Sequence, residues 1–577
     1  MISNAMFIAR SGLTAGQVGM NVAGNNVANA ATPGYSRQTL GLAPSADQAF
    51  GRGRIGRGVD ILSIRRSADD ALSQRLRAAI SDDAAGSTSR QRLGELERLV
   101  GSLDDSGLST QLGAFFNAWS GLANDPSLTA ARTGVLEQGR AASEYIRTLR
   151  RDVVNQQRGL DEELRNSAAT ANGLLGEIAR LNVQIVNNGG PNAAALQDRR
   201  DQALDRLAEL VDITTVTQAS GSVDVLIGST QLVTAGLNRG LRYEQISEDG
   251  VAVPTITTAD RGERLPAVSG QLGALLQARK DGVGDTLTKL DAVASALIYQ
   301  VNRVYSTGIS ATPVTSMTST LALPLADRTL AINDPANSTT SIAPFPPGSG
   351  QLVVRVRNDA TGSFSDVAIP IDLDGLRNDG SPGFDQDTTL ESLRASLDAL
   401  PNLDATFTPD GKLKITAANG SSFSFVGDTS GVLTTLGVNT YFQGSGAADI
   451  ALRADLVGRP DLLNARGVVN GNLDDAFIAR SVTKLRDTQV AALGGVTLGD
   501  SWSSTVQQLG VRVSAAGTQA DASRAVRENL ESQRSAIAGV NLDEEAINLV
   551  LYQTQYQASA RFISVIQELT QSLLQLV

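Results

Sequence analysis

Few residues in this 577-residue chain are of the types that do chemistry. Gly51-Arg-Gly53-Arg-Ile-Gly56 spells GxGxxG, the spacing that lets a pyrophosphate approach backbone N–H groups at a helix start. That chemistry needs an apolar strand before the glycines and a helix after them. Here no apolar strand precedes them and Arg52, Arg54 and Arg57 crowd the segment, so it reads as an exposed glycine-rich loop. Asp372-Leu-Asp374-Gly375 opens like a calcium loop, but the sixth position, which an EF-hand gives to glycine, is Arg377. It reads as a solvated turn. Asp82-Asp83, Asp104-Asp105 and Glu162-Glu163 could supply an acid and a base. Their hydrophilic, helical surroundings make them solvated faces instead.

The chain has no cysteine and no histidine. No Ser-His-Asp or Cys-His nucleophile and no Cys/His zinc site can be built. Neither GxxxxGK[ST] nor GxSxG occurs. The expectation is a protein that is not an enzyme, with no catalytic, cofactor-binding or metal residues and no cofactor.

The elements point elsewhere. The length implies about three or four domains. Hydrophobic residues make up 41% and aromatics only 4%, so the cores should be aliphatic and suited to long helices. Met6, Leu13, Met20 and Val27 recur every seven residues, with Ala9, Gly16, Ala23 and Ala30 three positions after each, an apolar seam with small partners over a helix at 3–29. Glycines and asparagines lower the propensity of that helix, so it needs contacts to form. Thr32-Pro33-Gly34-Tyr35 ends it, with Pro-Gly suited to the centre of a type II turn. At the other end, Asn541 and Glu544 read as a capping box. Leu542, Leu549, Tyr556 and Ile563 then repeat at seven, with Ala546, Ala560 and Leu574 alongside.

Between these ends, Ile146–Ile185 keeps a heptad register closed by Gly189-Gly190-Pro191. A helix should follow at about 193–211, strands at about 213–258, helix at 270–306, and helix again from about 452 to the end. Residues 312–450 carry 15 acidic and 7 basic side chains and read as a β-rich insertion. Within it, one helix is built on Leu390, Leu393, Leu397 and Leu400 behind a Thr388…Glu391 box. The fold class is mainly α with β-rich insertions, an α+β multidomain protein. Its expected domains are 1–67 with 541–577 (terminal coiled-coil assembly), 68–311 with 451–540 (helical body) and 312–450 (outer insertion).

The net charge is −11, which argues against nucleic acid as the main partner. The ends differ. Residues 1–67 hold seven Arg against two Asp, and 541–577 hold four acids against Arg561. No run reaches the ~18 apolar residues of a membrane span, and no charged leader with a long apolar stretch opens the chain. Neither membrane insertion nor a cleaved signal is expected.

The end motifs carry a resemblance. Ser11-Gly12-Leu13, Asn25-Asn26-Val27-Ala28-Asn29 and Thr32-Pro33-Gly34-Tyr35-Ser36-Arg37-Gln38 are similar to the N-terminal signature of flagellar rod, hook and hook-associated proteins. Gly539 to Glu545, followed by Tyr556-Gln557-Ala558-Ser559-Ala560-Arg561, resembles the C-terminal box of the hook–filament junction family. Leu181-Asn182 through Asp198-Arg199-Arg200-Asp201 is similar as well.

The resemblance implies a structural subunit at the junction of hook and filament, extracellular and needed for filament attachment. It implies export unfolded through the flagellar type III apparatus, with a chaperone on the C-terminal helix. Its partners would be its own copies, the hook protein and a second hook-associated junction protein. The assembly interface would hold Met6, Leu13, Met20, Val27, Pro33, Gly34, Tyr35, Leu542, Leu549, Tyr556, Ala560, Ile563 and Leu574. The end helices should be disordered in the free monomer. A hook or filament bulk subunit is the near alternative. A secreted carbohydrate-active enzyme built on 312–450 is the distant one.

Overall fold

The computed structural model describes residues 2–50, 53–101, 107–189, 193–248, 251–265, 269–341, 343 and 345–575. Asp104-Asp105 and Gly190-Pro191 lie outside them. The chain divides into two compact units. One holds residues 1–93, 159–280 and 512–577, and the other holds 94–158 and 281–511. The fold class is the expected mixture of long helices with several small sheets.

In the first unit, α1 spans Ile2–Ala28. It ends where Tyr35 N–H donates to the Thr32 carbonyl at 3.2 Å and Gly34 takes φ +73°, with Pro33 before it. Those are the features of a type II turn. Strands β1 (Gln38–Pro44), β2 (Gln48–Phe50), β3 (Gly53–Ile55) and β4 (Val59–Arg66) follow. β1 pairs antiparallel with β4, from Gln38 opposite Arg66 to Pro44 opposite Val59. Of the GxGxxG segment, expected as a loop, Gly53–Ile55 form β3, paired with β2, and β4 rather than a helix comes next, while Gly51 and Arg52 lie outside the described residues. Among the described residues no helix start follows Gly53 and Gly56.

Helices α2 (Asp70–Val100), α3 (Leu108–Asn124), α4 (Thr129–Asn187) and α5 (Ala194–Leu210) come next, and α2 and α4 each contribute residues to both units. Strands β5 (Thr214–Thr217), β6 (Val223–Ile227), β7 (Thr230–Thr234) and β8 (Leu237–Asn238) form a meander. β9 (Leu241–Glu248) and β10 (Val251–Thr258) form a hairpin. Buried Asn182 on α4 grips the meander, donating to the carbonyls of Val223 and Ala235 and accepting from Val223 N–H. The helix expected over 270–306 is interrupted. α6 (Gly270–Gln277) and α7 (Asp285–Tyr305) flank a π-helical stretch, Ala278–Gly284, in which Gly282 and Gly284 weaken the α propensity.

In the second unit, Phe115, Phe116 and Trp119 of α3 meet Tyr305, Tyr441 and Phe442 edge-on or tilted. The expected aliphatic core is corrected here, because the scarce rings are concentrated in one place. Buried Asn302 accepts from the N–H groups of Tyr441 and Phe442, and the Tyr441 hydroxyl donates to the Val135 carbonyl.

The β-rich segment has its own core. Strands β11 (Ser316–Ala322), β12 (Gly350–Asn358), β13 (Phe364–Ile371), β14 (Leu403–Phe407), β15 (Lys412–Ala417) and β16 (Ser421–Asp428) form two three-stranded sheets, ordered β11-β15-β14 and β13-β12-β16. α8 (Leu390–Asp398) adds Leu390, Leu393 and Leu397 to that core. The box before α8 is Thr389 with Ser392, one residue later than expected. Thr388 spends its hydroxyl on Asp372 N–H instead, and Glu391 pairs with Arg394.

A second correction lies after residue 452. The helix expected from there is absent until Leu498. Between α9 (Val432–Leu436) and that point lie short 3₁₀ turns, small strand pairs and α10 (Phe477–Lys484). Pro460 and the left-handed Gly458, Gly471, Gly494 and Gly495 break any longer helix. α11 (Leu498–Ala538) and α12 (Leu542–Gln575) then complete the chain.

Candidate assembly interface

α1 and α12 pack together, and glycine makes the approach close. A Cβ on Gly16 would stand 3.0 Å from Tyr556 N and 3.1 Å from the Tyr552 carbonyl oxygen. One on Gly12 would stand 2.7 Å from Ser559 Oγ, and one on Gly19 would enter the Tyr552 ring. The buried face of α1 is therefore its small positions, Ala9, Ala15, Gly16 and Ala23. Of the expected seam residues, Met6, Leu13, Met20, Leu549, Tyr556, Ala560 and Ile563 are half-buried. Val27 and Leu542 are exposed, as are Pro33 and Gly34 in the turn, and Tyr35 is half-buried. The side chain of Leu574 lies outside the described residues.

The end motifs meet in a polar latch at the base of this pair. Buried Asn26 donates to the Gln38 carbonyl at 2.9 Å and to Glu545 Oε2 at 3.1 Å, and its oxygen accepts from Gln38 N–H and the Tyr35 hydroxyl. Arg37 Nε donates to Glu545 Oε1 and Arg37 Nη1 to Glu544 Oε2, both at 2.8 Å. Asn541 caps α12 by accepting from Asp543 N–H at 3.0 Å and Glu544 N–H at 3.4 Å. The reciprocal half of the expected box gives way to the Arg37 pair, because the Glu544 carboxylate serves the cation. Burial, then the charges of Asp198 and Glu545, pushes the Tyr35 hydroxyl up to about 12.

A second set of charges braces the latch. On α5, Asp198, Asp201 and Asp205 follow at helical spacing and share one face. Arg66 of β4 takes Asp198 at 2.8 Å and Asp201 at 2.7 Å. Arg77 of α2 takes Asp201 and Asp205, and Arg534 of α11 takes Asp205 at 2.6 Å. Gln202 of the same helix donates to the Pro33 carbonyl at 2.8 Å, and a Cβ on Gly34 would collide with its side chain.

Three family descriptions match the chain in order. "Flagella basal body rod protein" matches residues 6–35, "Flagellar hook-associated protein FlgK helical domain" matches 93–316, and "Flagellar basal body rod FlgEFG protein C-terminal" matches 531–576. The two terminal matches take in Asn26 and Tyr35 on one side of the latch and Asn541, Glu544 and Glu545 on the other, with Arg37 and Gln38 just past the first. Hook-associated protein 1 of Salmonella typhimurium is 25% identical over 98% of both chains, and that of Escherichia coli is 24% identical over 98% of this chain and 97% of its own.

The chain is similar along nearly its whole length to the flagellar hook-associated proteins.

As in that family, its role is structural and not enzymatic, its place is the flagellum, and it assembles with other flagellar components. Hook-associated protein 1 of Bacillus subtilis is 28% identical over 52% of this chain and 67% of its own. In fold, the chain is similar to the flagellar hook junction protein of Burkholderia pseudomallei. That match has a TM-score of 0.52 and 14% identity, and covers 81% of this chain and 100% of the other. Among the described residues, no helix is long and apolar enough to cross a membrane.

The heptad reading missed one surface of this chain. α12 has a second apolar stripe beside the face that meets α1, with Ala558 and Phe562 at the edge of the contact. Ile547, Leu551, Phe562, Val565 and Leu569 are 42–69% exposed and fall within one helical face, with Ala558 between them. Their steps of three, four and seven residues were readable beforehand. What the spacing could not tell was which of the two stripes would be covered.

Proposed function

We propose that this protein is the junction subunit between hook and filament, assembling by α12 against neighbouring copies and needed for filament attachment. The single observation that carries this reading is the exposed stripe from Ile547 to Leu569. Each such side chain left in water forgoes about 1.5–3 kcal/mol of burial. An amphipathic helix with one face covered by α1 and the other bare is suited to a lattice in which the neighbour supplies the cover. The bare face is continuous with the α1–α12 pair, so the occupant is a second copy of the same terminal pair. Head-to-tail contacts of this kind extend into helical assemblies.

The finer parts of the reading rest on the family resemblance, and the bare surface is compatible with them. They are a chaperone on α12 in the cytoplasm, which would cover the bare apolar face before assembly, and export as an unfolded chain through the flagellar type III apparatus. The hook protein and a second hook-associated protein are the neighbours at the two ends of the zone. Residues 1–67 with 541–577 form the inner assembly domain, 68–311 with 451–540 the body, and 312–450 the outward insertion.

Leu551→Asp tests this. The side chain is exposed, so the isolated protein should melt as the wild type does. Cells carrying it should make hooks without attached filaments, because a charge is then buried at the contact. Wild-type filaments in that strain refute the assignment of this stripe. Micrometre-long polymers of the purified chain would favour a bulk hook or filament subunit instead.

A further inference from the structure

Asp372 and Asp374 follow the end of β13, and Asp387 stands shortly before α8. The intervening loop folds back, so that one carboxylate oxygen from each of the three lies within 4.8 Å of the others. Two unit charges about 4 Å apart repel by about 1 kcal/mol in water and about 4 kcal/mol near a protein surface. Among the described residues no Arg or Lys forms an ion pair with any of the three. Arg377, the basic residue of the same loop, is taken by Asp385 at 2.7 Å.

Exposed acidic turns are common without a ligand, and Asp372 and Asp374 are exposed. Asp387 is not; it is only 4% exposed. Its Oδ2 accepts from Asn333 Nδ2 at 2.6 Å and from Gly375 N–H at 2.9 Å. Its Oδ1 is buried with no donor, and so is Oδ1 of Asn333, on the very side chain that donates to Asp387. A buried carboxylate oxygen left without a donor is costly, and a cation held by the cluster would satisfy it. Asp374 already gives Oδ1 to Leu376 N–H at 2.9 Å, which leaves its other oxygen to offer.

We propose that Asp372, Asp374 and Asp387 bind a hard divalent cation of the calcium class. Every ligand atom is oxygen, which suits a hard cation. Calcium accepts six to eight oxygens in irregular geometry, with water completing the shell, whereas magnesium demands a near-ideal octahedron. Arg377 in the sixth position excludes an EF-hand. This site has no need of that glycine, because its buried ligand arrives from beyond the loop. A bound cation would tie the end of β13 and the start of α8 into one unit.

The test uses the full-length protein stripped with a chelator and titrated with calcium chloride by calorimetry, with thermal melts in parallel. Saturable heat and a calcium-dependent rise in melting temperature are expected. Asp374→Asn keeps an oxygen for Leu376 N–H and removes one of the repelling charges, so its calcium-free melt should equal or exceed the wild type's, while calcium affinity falls about tenfold or more. Absence of saturable binding in the wild type overturns the proposal, as does an unchanged response in Asp374→Asn. Equal affinity for magnesium overturns the calcium-class assignment.

Discussion

At the scale of single residues, the terminal pair is held by side chains that are absent or small. Gly16 faces backbone atoms of α12 that cannot rotate away, so Gly16→Val should force the helices apart at a cost of about 1–3 kcal/mol. Faster amide exchange in α12 would report it. Gly24 has open space around it, and Gly24→Ala should stabilise α1 by about 0.5–1 kcal/mol, the ordinary helix preference. Arg37→Met leaves the buried Glu545 carboxylate without its cation and should cost about 3–5 kcal/mol, read as protease sensitivity around residues 29–37. The Tyr35 hydroxyl adds a pH dependence. An unfolded tyrosine loses its proton near pH 10, whereas the folded one holds it to about 12. Between those values the unfolded state binds fewer protons, so stability falls as pH rises. Tyr35→Phe should flatten that alkaline slope. An unchanged slope would remove Tyr35 from the latch.

At the scale of elements, the boundaries follow local chemistry where one residue type is demanded, and slip where two neighbours compete. Thr388 and Thr389 are adjacent and identical, and the hydrogen bond that Asp372 N–H donates to the Thr388 hydroxyl decides which of them caps α8. Thr389→Ala should therefore cost about 1 kcal/mol in the melting of the β-rich segment, as N-cap losses do. The type II turn at Pro33-Gly34 was legible because proline and glycine each leave the chain few choices. The break at 458–495 rests on the same residue types, Pro460 and the left-handed glycines, and was passed over because helix-favouring stretches such as 477–484 lie between them.

At the scale of the whole molecule, α12 carries two apolar faces and the folded chain covers one. On the covered face, half-buried Tyr556 packs against α1 within the subunit, where its backbone meets Gly16. Tyr556→Asp should accordingly disturb the monomer, by loosening α1, as well as the assembly. Leu551→Asp should disturb the assembly alone. The pair of variants separates a folding defect from an interface defect. Limited proteolysis of the purified monomer should trim α12 and then α1, since α12 keeps a bare apolar face and α1 leans on it, and the same sites should be protected after assembly.

Sequence alone determined the heptad seams, the turn that ends α1, the charge contrast between the ends, the absence of histidine and cysteine chemistry, and the motifs that carry the family resemblance. Each of these is set by residue type or by spacing within a turn or two of helix. Tertiary structure alone decided the partners. Asn26 and Glu545 lie 519 residues apart, and no local rule joins them. The same holds for Asp387, which turns an exposed acidic pair into a cluster with a buried member, and for the choice of which face of α12 is covered. Spacing along a chain tells which side chains share a face. Only the path of the chain tells what that face meets.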